Sequence, residues 1–168
     1  MTPLRLLVYG FGNPGKEDDG LGIALADTIE LERIGGVTVE KNYQLNAEDA
    51  LLVAEHDMAV FVDASTNEID GFRFSALRPE PEVSFTTHAM SPGSVLALCN
   101  QLYGKNPPAY LLEIKGVSWS IKEELSGQAQ LHLNAACSFL KNILLSALPI
   151  ECAAALCYRP DRIVITPL

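Results

Sequence analysis

The sequence predicts a three-layer α/β/α sandwich built on a mostly parallel mixed sheet of about five strands, one of them antiparallel. Three observations point to it. Short apolar runs, each the length of a buried strand, alternate with longer segments of helical spacing. The first run feeds a glycine-rich turn, and open α/β sheets hold their ligand sites at the turns that follow their strands. Eight residues separate Asp63, at the end of one expected strand, from Phe72, at the start of the next. That is too short for a crossover helix, so one strand must run against the others.

Each element has a local cause. Residues 4–9 form the first apolar run. From Asp19 to about Arg33, Leu21, Ile23, Leu25, Ile29 and Leu31 recur among small and polar residues, and Gly35-Gly36 stops the helix. Residues 37–43 alternate as a strand does. Asn46 and Asp49 make a capping-box-like start for a helix to about Glu55. Ala59-Val-Phe-Val-Asp63 is a compact buried strand, and 72–77 is the expected antiparallel one. After the proline-rich Arg78-Pro-Glu-Pro-Glu-Val-Ser, the pair Ser91-Pro92 opens a helix that Gly104 and Pro107-Pro108 end near Tyr103. Tyr110 to Gly116 is a fifth strand, and Ser126 to Ala147 a long closing helix.

A chain of 168 residues suits one domain with a sizeable core, here residues 1–148, followed by a tail over 149–168. In that tail Ile150 to Cys157 is apolar and Ile163 to Thr166 is strand-like; packing on the domain and contact with another copy both suit it. Apolar residues at 48% and charged residues at 20% fit a soluble fold. No run reaches the ~18 apolar residues of a membrane span, and no signal peptide opens the chain, so a cytoplasmic protein is expected. A formal net charge of −9 without a basic cluster argues against nucleic acid as a partner. Cys99, Cys137, Cys152 and Cys157 include no C-x-x-C pair and are expected to be buried thiols.

The turn after the first strand carries the chemistry. Gly10-Phe-Gly12-Asn-Pro-Gly15 matches the dinucleotide spacing G-x-G-x-x-G, but Glu17, Asp18 and Asp19 follow it. Three acids would set negative charge against a pyrophosphate at the helix start. The same string resembles the opening of the peptidyl-tRNA hydrolases, yet the Thr-Arg-His-Asn segment that brings that family its catalytic histidine is absent. Helix capping accounts for one or two of the acids. A third is left for a functional role.

Asp63 at a strand end and His88 ahead of the Ser91-Pro92 helix join Asp19 as candidates. If the first and third strands are neighbours, Asp19 and Asp63 converge on one rim, within reach of His88. Two carboxylates and an imidazole suit a divalent metal such as nickel, zinc or manganese, or activation of a water by general base chemistry. Each also has a plain structural reading: Asp63 capping the following loop, His88 bonding a carbonyl. His56 and His132 read as solvated.

Gly12-Asn-x4-Asp18-Asp19-Gly-x-Gly22, then Phe61-Val-Asp63-Ala, then Thr87-His88-x-x-Ser-Pro-x-x-x-Leu96-Ala resemble, in order and spacing, blocks of the hydrogenase maturation proteases. Tyr43 to Ala50 fits that family's turn after the second strand. The resemblance spans about residues 4–147. It implies a phosphorylase/hydrolase-like fold and an endopeptidase that cuts the C-terminal extension from a nickel–iron hydrogenase large-subunit precursor. Asp19, Asp63 and His88 would be both the catalytic and the nickel-contacting residues, with nickel supplied by the substrate and no organic cofactor. Two alternatives accompany it: an esterase akin to peptidyl-tRNA hydrolases, and a metal-dependent maturation chaperone without hydrolysis. The sequence departs from the family at Trp119-Ser-Ile-Lys-Glu-Glu-Leu-Ser126, where a glycine-rich block is expected, and in the tail after 148.

Overall fold

The structure, a computed structural model, describes residues 4–81 and 90–146. Five strands make one sheet: β1 (Leu6–Phe11), β2 (Val37–Asn42), β3 (Met58–Ser65), β4 (Phe72–Leu77) and β5 (Ala109–Lys115). Their order is β2-β1-β3-β5-β4. β1 runs parallel to β2 and β3, and β3 parallel to β5. Among the described residues β4 alone is antiparallel, paired to β5 at the edge. A chain that returns through residues 66–71 without a helix can only reverse direction, and β5 then enters between β3 and β4 and leaves β4 outermost.

The helices are α1 (Leu21–Glu32), α2 (Asp49–Ala54), α3 (Pro92–Tyr103) and α4 (Gly127–Leu145). Strand alternation sends one set of side chains to each side of the sheet. Leu6, Val8, Val60, Val62, Leu112 and Ile114 meet α1 and α4 through Leu25, Ile29, Leu133 and Leu140. Leu7, Tyr9, Ala59, Phe61 and Ala109 meet α2 and α3 through Val53, Val95, Leu96 and Cys99. Burial on both faces explains why the central strands β1, β3 and β5 read as largely continuous apolar runs, while β2 and β4 at the edges alternate. Phe139 from α4 closes the edge by packing against Phe72 and Phe74, with ring centroids 5.1 and 5.3 Å apart.

Helix ends follow the expected chemistry where a hydroxyl caps them. Ser91 accepts the N–H of Ser94 at 3.0 Å, with Pro92 behind it, and Gly104 ends α3 in the left-handed conformation. Ser126 likewise accepts the N–H of Ala129 at the head of α4. Ser91→Ala is expected to cost about 1 kcal/mol of stability, read from urea unfolding. An unchanged midpoint would remove that role. At α2 the capping box is only half made: Asp49 accepts the N–H of Asn46 at 2.7 Å, while the Asn46 amide turns to the Gln44 carbonyl. The helix expected from Asp19 begins instead as a 3₁₀ turn, Glu17–Gly20, and becomes α-helical at Leu21. The tail over 149–168 lies outside the described residues.

Candidate active site

β1 and β3 lie side by side in the register Tyr9 to Phe61 and Gly10 to Val62. The carboxyl end of β1 therefore sits next to Asp63, which is the next residue along β3. From β1 the chain turns back through the 3₁₀ turn, and glycines set how close it comes. At Gly12, φ is +134° and a Cβ would stand 2.1 Å from the Asp19 carbonyl oxygen, so a side chain is excluded twice, by conformation and by space. At Gly22 a Cβ would stand 2.5 Å from the carbonyl oxygens of both Phe11 and Val62. The start of α1 is thus pressed onto the ends of both strands, and Asp19 is delivered to the rim that carries Asp63. The Asp19 carboxylate accepts the N–H of Asn13 at 3.0 Å, which ties it to the turn.

The three consecutive acids divide their work. None of them caps a helix: neither the 3₁₀ turn nor α1 has a side-chain cap. Asp18 is fully buried and accepts four hydrogen bonds from the segment after β5. They come from the N–H groups of Val117 at 2.8 Å, Ser118 at 2.9 Å and Ser126 at 2.8 Å, and from the Ser126 hydroxyl at 2.8 Å. Burial opposes its ionisation, but these donors outweigh burial and hold its carboxyl below the usual carboxylate range. Glu17 accepts bonds from the Ser118 hydroxyl and the Ser120 N–H, which lower its pKa in turn. Its φ of +42° is unusual for a residue with a side chain, and those bonds hold it there. Two acids are fasteners, so Asp19 is the one left facing the strand ends.

Asp63 is half-buried, and its pKa is pushed up to about 7. Burial is the main cause; the N–H of Ala64 works against it, and the charges of Asp19 and Glu113 add to it. Asp63 does not cap the loop after β3, because β3 continues to Ser65 and the Ser65 hydroxyl accepts the N–H of Asn67. Glu113, paired in register with Asp63 on β5, is 8% exposed. Sequence reasoning missed it, although a lone acid inside Tyr110-Leu-Leu-Glu-Ile114 was the available signal.

His88 lies outside the described residues, two positions before Met90, whose N–H bonds the Leu45 carbonyl. Among the described residues no group of three His, Cys, Asp or Glu is disposed to hold a metal; two members of the expected triad are brought together there. Their donor set fits a divalent cation, since a positive charge beside Asp63 would relieve the burial and the neighbouring Asp19 charge that oppose its ionisation. His56 and His132 are half-buried rather than solvated. His56 contacts the Leu52 carbonyl and Thr38 hydroxyl, and His132 contacts the Lys115 carbonyl and Gln128. Cys99 is buried and Cys137 half-buried, both free thiols; Cys152 and Cys157 lie outside the described residues. No described helix is long and apolar enough to cross a membrane.

No protein-family model and no curated protein matches the chain. Solved structures do. The NiFe hydrogenase maturation protease HycI from Thermococcus kodakarensis KOD1 matches with a TM-score of 0.66 at 21% identity, over 84% of this chain and 93% of that one. The hydrogenase maturating endopeptidase HybD from E. coli matches with a TM-score of 0.61 at 22% identity, over 82% and 90%. The hydrogenase 2 maturation peptidase from Thaumarchaeota archaeon SCGC_AB-539-E09 gives 0.61 at 20%, over 84% and 98%. At these identities the likeness is one of fold, and it covers nearly the whole of each neighbour.

Proposed function

We propose that this chain, which has the fold of the NiFe hydrogenase maturation proteases, is an endopeptidase of that kind. It removes the C-terminal extension of a nickel–iron hydrogenase large-subunit precursor, in the cytoplasm, after nickel has been inserted. One observation supports this most: on that fold, Asp19 and Asp63 stand together at the carboxyl ends of adjacent parallel strands.

Nickel here belongs to the substrate. Asp19, Asp63 and His88 meet it with two carboxylates and an imidazole, donors that suit a borderline divalent ion already held by the partner. One of the two carboxylates accepts a proton from a water whose oxygen attacks the scissile carbonyl carbon. The peptide C–N bond then breaks, and the proton passes to the leaving amine. Metal recognition and cutting in one place make cleavage conditional on a loaded precursor.

The test uses wild-type protein with precursor prepared with and without nickel, followed by intact-mass measurement. Shortening of the loaded precursor alone, at one bond, is expected. Binding of the loaded precursor without shortening would make the protein a chaperone, and shortening regardless of nickel would remove metal recognition.

A further inference from the structure

We infer that Arg73 is a docking point for a carboxylate of the peptide being processed, and that the buried Glu113 holds it in position. Arg73 on β4 pairs in register with Glu113 on β5, which pairs in register with Asp63 on β3. Residues opposite one another in neighbouring strands share a face. Asp63, Glu113 and Arg73 therefore form a row across three strands, with Arg73 roughly 10 Å from Asp63 by strand spacing.

Glu113 is fully engaged. One oxygen accepts the Ser65 hydroxyl at 3.2 Å and the Asn67 amide at 3.0 Å; the other accepts Nε of Arg73 at 2.7 Å and lies 2.6 Å from its Nη2. The Arg73 side chain nonetheless remains 47% exposed. The guanidinium is fixed at its inner edge and open at its outer one.

A purely structural role explains this poorly. With Arg73 half exposed, the ion pair adds little to stability, and it sets a second carboxylate beside Asp63, whose ionisation Glu113 opposes. What the pair does supply is a fixed cation on an acidic rim. Lys115, the other cation near the end of β5, is taken up by Glu68 at 2.8 Å. Among the described residues, a peptide carboxylate approaching the row of Asp63, Glu113 and Arg73 meets an attractive charge at Arg73, and a guanidinium fork matches a carboxylate in shape and charge. The carboxylate is either an acidic side chain of the extension or its terminal group.

Because this rests on the proposed processing activity, wild-type cleavage of nickel-loaded precursor is the first arm. If wild type does not cut, the processing activity and the inference fall together. If it cuts, kcat and KM are compared for Arg73→Gln and for Arg73→Gln combined with Glu113→Gln, which leaves no unpaired buried charge. A KM for precursor raised about tenfold in both, with kcat within a few-fold of wild type, is expected. A wild-type KM in the double variant makes Arg73 a partner for Glu113 only and overturns the inference, while the processing activity stands. Neutralising the acids of the extension, or moving its terminus outward with added glycines, shows which carboxylate docks: the one that matters raises KM for wild type and not for the variants. If neither does, the inference also fails.

Discussion

Asp18→Asn is expected to lose on the order of 3 kcal/mol of stability and most of the processing activity, although Asp18 itself faces away from the reacting groups. Its carboxylate is fully buried and accepts bonds from three backbone N–H groups and one hydroxyl. An amide of the same shape can accept at one end only and points its own N–H at donors at the other, so buried donors lose their partner. The damage spreads because the bonds join residues about a hundred positions apart: they fix the segment before α4 against the turn that carries Asp19. The sign with pH follows from the lowered pKa. Stability from Asp18 is fully present above its unfolded pKa of 3.8 and is lost as pH falls through the lower folded value. The gap between wild type and variant in urea unfolding should therefore be constant near pH 7 and close only in acid. Equal midpoints at pH 7 would show that the four bonds contribute nothing net.

The sheet was legible because its causes are local and repeated. Apolar runs marked β1, β3 and β5, the Ser91-Pro92 cap marked α3, and the short link after β3 forced β4 to reverse; most strand and helix bounds differ from expectation by a residue or two. Asp19 and Asp63 could be brought to one rim only on the condition that the first and third strands are neighbours, which the strand order meets. The roles of Glu17 and Asp18 were not legible. Acids ahead of a helix read as caps, and nothing in the sequence ties them to Ser118 or Ser126, since bonds across such a separation leave no periodic trace. Glu113 and Arg73 were hidden for the same reason. Their pairing depends on which strand takes the edge beside β5, a fact of register and not of composition.

Asp63→Asn is expected to do the opposite of Asp18→Asn on one axis and the same on the other: stability rises while processing falls by about a hundredfold or more. The stability sign comes from a raised pKa. Folded Asp63 holds its proton to about pH 7, whereas the unfolded group releases it near 3.8. Between those values the folded state binds more protons, so Asp63 increasingly destabilises the fold as pH rises, and the full cost, roughly 2–4 kcal/mol, is present above pH 7. Asparagine never ionises and escapes that cost. Thermal unfolding should place the variant above wild type at pH 8, with the difference shrinking through pH 6 and gone near pH 4. A variant less stable than wild type at pH 8, or one that still processes precursor at full rate, would sink the assignment. The contrast between neighbouring carboxylates is what makes the result informative. When Asp18 is neutralised, activity and stability fall together, as they do when a fastener is lost. When Asp63 is neutralised they part, and a group that weakens the fold while the reaction depends on it is retained for what it does to the substrate.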